Sequence, residues 1–205
     1  VGLKGEKVSS GALTVDDQTG NTLYASIENT PKFYSSTNGG ETWQQHLVYS
    51  CSAIVIHPTD SKTVYCMSGG GLEKTTDSGK TWGKIETHGG SDHIVTLSLS
   101  PQNPDVLYIG RKGLFTSING GDNWVEISNG LGNNPVSVIL DTTQNANLYA
   151  LDSSCVFRKP GPFPNFFHVS SDGGRTWKRI VDMGMERQLC SPAFDADGVT
   201  HYWIA

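Results

Sequence analysis

Four short apolar segments recur along the chain, and a polar turn follows each of them. The segments read "GALTV", "SAIVI", "IVTLSLS" and "PVSVIL", and the turns read "DDQTGN", "HPTDSK", "PQNPD" and "DTTQNAN". An apolar–tyrosine pair follows each turn, which places Tyr24, Tyr65, Tyr108 and Tyr149 at similar intervals, with Tyr202 as a fifth. Apolar runs of this length between turn residues predict β-strands, and no useful length of chain shows helical periodicity. We therefore expect an all-β chain.

An eight-residue motif recurs with the same period. Its copies are "STNGGETW", "TTDSGKTW", "SINGGDNW" and "SSDGGRTW", which end in Trp43, Trp82, Trp124 and Trp177. One repeat therefore reads as an apolar strand, a turn, a strand with tyrosine, a loop, a third strand, the motif and a fourth strand. Repeats of about 40 residues with four strands are typical of the blades of a β-propeller.

The motif predicts a tight turn between the third and fourth strands. Its Asp or Asn side chain is suited to accept backbone N–H groups of the turn, and its Ser or Thr hydroxyl to tie the strand across it. One slot holds glycine in every copy, which predicts a positive φ at Gly40, Gly79, Gly121 and Gly174. We expect the four tryptophans to be buried at equivalent places.

These four strings resemble the Asp-box (BNR) repeats of sialidases, xyloglucan-degrading enzymes, sortilin-type receptors and a photosystem assembly factor. The resemblance implies that the motif residues are structural and lie on the face away from any ligand site. Those residues are Asn38, Gly40, Trp43, Asp77, Gly79, Trp82, Asn119, Gly121, Trp124, Asp172, Gly174 and Trp177. A calcium loop is not favoured, because each copy offers at most one dependable carboxylate. We expect neither a metal nor a cofactor.

The repeats predict a β-propeller of about four and a half four-stranded Asp-box blades. Their expected bounds are 11–47, 51–87, 93–129, 135–181 and, for a partial blade, 188–205. Because an incomplete ring leaves bare sheet edges, we expect one propeller domain, or part of one, with the remaining blades in a longer chain. A five-bladed ring closed by the N-terminal residues is the alternative.

Composition and charge exclude several classes of protein. The net charge of −5 argues against a nucleic-acid partner, and no apolar run is long enough to predict a membrane span. The four cysteines, Cys51, Cys66, Cys155 and Cys190, lack the spacing of a metal site. Buried free thiols are the main interpretation, and one or two disulfides are the alternative.

A ligand site is expected on the face of the propeller opposite the four eight-residue motifs, or boxes. This face is here called the top face. Two sets of loops build this face, and the longest of them, 151–167, is rich in proline and phenylalanine. Arginine binds carboxylates as a fork and phenylalanine offers stacking surface. The candidate ligand-binding residues are Arg111, Arg158, Phe163, Phe166 and Arg187. The alternative is that the phenylalanines pack internally and the arginines are solvated.

The function favoured by this pattern is non-catalytic. We expect a secreted or cell-envelope propeller that binds a polysaccharide or a protein partner through its top-face loops. The alternative is a glycoside hydrolase of the sialidase or xyloglucanase type, which needs two carboxylates at a set separation. Top-face candidates are Asp92, Asp152, Asp182 and Glu186, and the sequence contains no spacing that pairs any two of them.

Overall fold

The computed structural model of the chain describes the strands and most of the short turns. The described residues are 3, 8–16, 18–27, 30–47, 50–69, 71–87, 94–100, 103–131, 136–140, 147–152, 166–182, 189–194 and 200–204. For residues 8–11, 47, 136–140, 151–152, 166–167, 181–182, 189–194 and 200–204 the backbone alone is described. All regular structure in these ranges is β-strand, and none of it forms a helix that could cross a membrane.

The chain divides into two compact units, Val1–His93 and Ile94–Ala205. The first unit holds two antiparallel four-stranded sheets in sequential order. The first sheet contains β1 (Val8–Val15), β2 (Leu23–Ile27), β3 (Lys32–Ser36) and β4 (Gln44–Leu47). The second sheet contains β5 (Cys51–His57), β6 (Asp60–Ser68), β7 (Gly71–Thr75) and β8 (Gly83–Ile85).

The second unit holds two further four-stranded antiparallel sheets and one two-stranded sheet. The third sheet contains β9 (Thr96–Leu99), β10 (Leu107–Arg111), β11 (Gly113–Ser117) and β12 (Val125–Glu126). The fourth contains β13 (Val136–Leu140), β14 (Leu148–Asp152), β15 (Phe166–Ser170) and β16 (Lys178–Asp182). The last pair is β17 (Leu189–Phe194) and β18 (Thr200–Ile204).

The tyrosines predicted for second strands share one register. Tyr65 pairs with Val55 of the preceding strand, and Tyr202 pairs in the same way with Pro192. Tyr202 therefore lies in a second strand, as predicted from its spacing. The hydroxyl of Tyr24 shows what such a side chain does in the first unit, because it donates to the Ser61 carbonyl of the next sheet at 2.7 Å.

Apolar side chains join the two sheets of the first unit. Tyr24 and Phe33 from the first sheet meet Ile54 and Val64 from the second in one buried cluster. The ring of Trp82 packs edge-on against Phe33, with 5.0 Å between the ring centroids. Burial of such large side chains supplies most of the free energy that holds one sheet on another.

The second unit repeats this arrangement between its third and fourth sheets. Tyr108 and Leu114 of the third sheet are buried against Leu148 and Ala150 of the fourth. The indole of Trp177, which precedes β16, donates to the Ile127 carbonyl at 2.7 Å. In both units, therefore, a motif tryptophan contacts the sheet that precedes its own.

A disulfide joins Cys51 of β5 to Cys66 of β6, and both residues are buried. The main interpretation of the cysteines, buried free thiols, is therefore wrong for this pair. The interpretation failed because the bridge depends on strand register, which the cysteine spacing alone does not reveal. By closing the loop between Cys51 and Cys66, the disulfide adds about 3 kcal/mol to the free energy of unfolding in the chain-entropy account. Cys155 lies outside the described residues, and of Cys190 only the backbone is described.

One buried histidine lies where the first two sheets meet. His46 of β4 is 9% exposed, and its Nε2 lies 2.8 Å from the hydroxyl of Ser35. Burial lowers the pKa of His46 below its usual 6.5, and the nearby Lys80 acts in the same direction. The carboxylate of Asp77 opposes both effects. The neutral imidazole is therefore the form that fits this interface.

This burial predicts a loss of stability in acid. In the unfolded chain His46 binds a proton at its usual pKa of 6.5, whereas the folded chain binds it only at lower pH. The contribution of His46 is thus fully present above that pKa and is lost as the pH falls through the folded value. We expect urea unfolding to show a steeper loss of stability between about pH 7 and pH 5 for the native chain than for His46→Gln.

Above neutral pH the free energies of unfolding of the two proteins should change with pH in parallel, because His46 is neutral in both the folded and the unfolded native chain. Equal slopes in the acid range would show that His46 does not control this stability.

Candidate functional site at the hairpin end of the sheets

Each four-stranded sheet has two chemically different ends. At one end, here called the box end, the eight-residue motif connects the third strand to the fourth. At the other, the hairpin end, a turn connects the second strand to the third. Because neighbouring strands run antiparallel, these two turns lie at opposite ends of a sheet.

The four boxes share one hydrogen-bond pattern. The hydroxyl at the first position accepts the N–H of the glycine four residues later, at 2.9 Å for Ser36–Gly40, 3.0 Å for Thr75–Gly79, 2.9 Å for Ser117–Gly121 and 2.8 Å for Ser170–Gly174. The same hydroxyl donates to the Asn or Asp side chain, whose oxygen accepts a further backbone N–H of the turn, as in Thr81 N–H to Asp77 at 2.8 Å. The predicted Asx turn is confirmed. The hydroxyl, however, ties the glycine within the turn instead of the strand across it.

The predicted positive φ is confirmed at all four glycines. Its values are 89° at Gly40, 90° at Gly79, 100° at Gly121 and 89° at Gly174. The preceding residue also has positive φ in every copy, including 65° at Ser78, which is not a glycine. Two consecutive left-handed residues give the turn its tightness, and the hydroxyl contact compensates part of the strain.

The motif tryptophans are less buried than expected. Trp124 is buried at 9% exposure, whereas Trp43, Trp82 and Trp177 are half-buried. The nitrogens of Trp82 and Trp124 donate to the Gly79 and Gly121 carbonyls of their own turns. The rings of Trp82 and Trp124 therefore lie along their own turns, and all of the motif rings except that of Trp124 keep part of their surface open to solvent.

The box carboxylates are committed to their own turns. Hydrogen bonds from the Thr81 hydroxyl and amide lower the pKa of Asp77 to about 2, and Thr176 does the same for Asp172. Asn takes the same slot at Asn38 and Asn119 with the same backbone contact. A neutral amide and a carboxylate serve equally in this turn, which argues against a cation there. Across the described ranges no three His, Cys, Asp or Glu residues gather as metal ligands.

At the hairpin end of the third sheet, Arg111 is a packed side chain. It ends β10, is 2% exposed, and its guanidinium lies 4.1 Å from the centroid of the Phe115 ring. A solvated arginine, which was the alternative interpretation, is therefore wrong here. The stacking on Phe115 fixes the plane of the guanidinium. Its role in binding a ligand stays a prediction.

The register of the fourth sheet brings three residues of interest into one row at the hairpin end. Phe166, the first residue of β15, pairs with Asp152 on one side and with Asp182 on the other. Residues paired in this way lie on the same face of a sheet, so the row places an aromatic position between two acidic ones. Two strand spacings separate the Cα atoms of the aspartates by roughly 10 Å.

The other predicted site residues fall outside the described residues. These are Arg158, Phe163 and Arg187, together with the carboxylate candidates Asp92 and Glu186. Of the candidate set, the structure therefore places Arg111 in the third sheet and the backbone of Phe166 in the fourth.

The structure adds Glu73 in the second sheet, which the sequence reasoning missed. Burial raises the pKa of this half-buried carboxyl, while the Ser68 hydroxyl at 3.4 Å and Lys84 counteract the effect. Glu73 is the third residue of β7, which follows the hairpin after β6. A charged residue two positions after a hairpin glycine, Gly71, was the signal that could have revealed it.

Solved structures of several proteins share this fold. An ancestral GH74 enzyme matches with a TM-score of 0.72 and 20% identity over 97% of this chain, which spans 28% of that enzyme. A GH74 xyloglucanase from Xanthomonas campestris matches with a TM-score of 0.65 and 16% identity over 83% of this chain and 29% of its own. YCF48 bound to a D1 peptide matches with a TM-score of 0.64 and 12% identity over 98% of this chain and 64% of its own.

These similarities concern the fold. The neighbours are β-propellers, and with the four-stranded antiparallel sheets they confirm the predicted all-β propeller class. No protein-family model and no curated protein matches the sequence. The chain also spans less than two thirds of each neighbour described above.

The geometry of the boxes predicts the cost of adding a side chain at Gly79. A Cβ atom on Gly79 would lie 2.9 Å from Phe33 of the first sheet, in a backbone conformation with φ of 90°. We expect Gly79→Ala to lose about 2–4 kcal/mol in chemical unfolding, because backbone strain and overpacking act together.

Gly20 provides the matched control. It also has positive φ, 67°, but a Cβ there meets nothing within 4 Å. Gly20→Ala should therefore lose only about 1 kcal/mol. Equal losses in the two variants would show that Gly79 is not pressed against the neighbouring sheet.

Proposed function

We propose that this chain is a non-catalytic β-propeller module that binds a polysaccharide or protein ligand through the hairpin ends of its sheets. The observation that carries the proposal is the difference between the two ends. At the box end, hydroxyl, amide and carboxylate groups are bonded within their own turns, as in the Thr75–Asp77–Thr81 set. These groups are therefore already committed and have little left to offer a ligand.

In each unit the strands beside the hairpins carry chemistry that suits recognition. In the first unit Glu73 is a half-buried carboxyl with a raised pKa, and in the second unit Arg111 stacks on Phe115. Phe166 takes the central position between Asp152 and Asp182. Aromatic rings and oriented charges are the groups that bind sugars and protein hot spots. YCF48, a neighbour with the same fold, is bound to a peptide in its own structure, which supports a protein or peptide ligand.

The proposed location is outside the cell or in the cell envelope. The buried Cys51–Cys66 disulfide supports it, because such bonds form and persist in oxidising compartments. The remaining blades of the ring are proposed to come from the rest of a longer chain.

The second candidate function is glycoside hydrolysis. It is favoured by the row in which Asp152 and Asp182 flank Phe166, since glycosidases act with two carboxyl groups on either side of a scissile bond. The GH74 neighbours share the fold at low identity.

A binding panel tests the proposal. Neutral oligosaccharides such as xyloglucan fragments, acidic oligosaccharides and a peptide library are passed over the immobilised chain. For whichever probe binds, we expect Phe166→Ala to weaken binding by about tenfold or more, because loss of an aromatic anchor costs at least 1.4 kcal/mol. Asp172→Asn is the matched control, because Asn already occupies this slot in two boxes.

The proposal requires that Asp172→Asn binds like the native chain. Equal binding by Phe166→Ala, with an unchanged melting temperature, would place the site elsewhere. Release of reducing ends from a bound polysaccharide, abolished by Asp152→Asn or Asp182→Asn, would support the hydrolase instead.

A further inference from the structure

Three Asn-Gly steps occur in the chain, and the structure places them in different chemical environments. They are Asn38-Gly39 and Asn119-Gly120, which lie in boxes, and Asn129-Gly130, which lies in the connection after β12. An asparagine followed by glycine is prone to deamidation, because the glycine amide nitrogen is unshielded by a side chain and can attack the asparagine side chain.

In the two boxes that attack is blocked. The amide of Gly39 donates to the Asn21 carbonyl at 2.9 Å, and the amide of Gly120 donates to the Asp105 carbonyl at 2.9 Å. A nitrogen held in this way is directed at its acceptor and not at the neighbouring side chain.

The side chains of the two box asparagines are held as well. The amide oxygen of Asn38 accepts the Thr42 N–H at 2.9 Å, and that of Asn119 accepts the Asn123 N–H at 3.0 Å. Both reacting groups must therefore leave their partners before they can meet, which requires the turn to open.

The third step lies in a different kind of turn. Leu131 N–H bonds to the Ser128 carbonyl at 2.8 Å, which places Asn129 and Gly130 at the two central positions. Both are exposed, and no described residue hydrogen-bonds to the Asn129 side chain or to the Gly130 amide. The φ of 94° at Gly130 fits the second central position of a type II turn, which requires a positive φ and therefore favours glycine.

We propose that Asn129 is a site of spontaneous hydrolytic modification in the folded protein, whereas Asn38 and Asn119 are protected by their boxes. The amide nitrogen of Gly130 forms a bond to Cγ of Asn129 and gives up its proton. The Cγ–Nδ2 bond breaks and ammonia leaves, so a cyclic succinimide remains. Water then opens the ring at either carbonyl and leaves aspartate or isoaspartate. In the net reaction, asparagine and water give aspartate or isoaspartate and ammonia, and no oxidant or reductant is needed.

The modification falls at a contact between two sheets. A Cβ on Gly130 would lie 3.5 Å from the Trp177 carbonyl oxygen, so this segment runs along the start of β16. Isoaspartate adds one carbon to the backbone there, and either product adds a negative charge. We therefore expect the modified chain to pack less well where the third sheet meets the fourth.

Peptide mapping by mass spectrometry tests the proposal. The purified chain is held at mildly alkaline pH and 37 °C, about the conditions in which an amide nitrogen attacks readily, and sampled over weeks. We expect the peptide with Asn129 to gain acid at least about tenfold faster than those with Asn38 or Asn119, since boxes deamidate only after local opening. Asn129→Gln should abolish the fast phase.

The same chain unfolded in denaturant is the control for the sequence itself. There the three steps should react at similar rates, because all three share the Asn-Gly pair. Box asparagines that react as fast as Asn129 in the folded chain would overturn the proposal, and so would an Asn129 that is as slow as they are. A rate order that persists in denaturant would assign the difference to flanking residues instead of the fold.

Discussion

The hydrogen bond from the glycine amide to a Ser or Thr hydroxyl is the interaction on which each four-stranded sheet depends. It closes a turn that contains two consecutive residues with positive φ, a conformation that ordinary residues avoid. Without an acceptor, the buried amide of that glycine would cost more than the turn gains. The third strand therefore ends on a hydroxyl residue in all four sheets, at Ser36, Thr75, Ser117 and Ser170.

The same turn determines how one sheet meets the next. A glycine has no side chain, so Phe33 can lie against Gly79 and Ile127 against Gly174. The tryptophan that follows each of these glycines then contacts the same neighbouring sheet. The same few motif residues thus determine both the turn conformation and the packing between sheets. This explains why the motif is repeated while the strands around it vary. Because the motif commits the polar groups at its own end of the sheet, the hairpin end is the one that we propose for recognition.

Features that depend on neighbouring residues in the sequence could be predicted from it. The strand order, the position of the turn, the sign of φ at Gly79 and the register of Tyr202 all follow from local patterns that repeat. The Cys51–Cys66 bridge, the burial of Arg111 and the half-burial of Trp82 were not predicted, because each depends on which residues lie opposite across strands or sheets. The row of Asp152, Phe166 and Asp182 depends on the register of three consecutive strands, which the spacing of residues along the sequence does not reveal.

Hydrogen exchange at the four box glycines tests the central role of the hydroxyl contact most directly. The amides of Gly40, Gly79, Gly121 and Gly174 all donate to a hydroxyl, whereas no described residue accepts from the amide of Gly130. In a backbone NMR measurement on the folded chain, we expect the four to exchange much more slowly than Gly130, and Thr75→Val to release Gly79 selectively. Exchange of the four as fast as Gly130, or no change at Gly79 in Thr75→Val, would contradict the account.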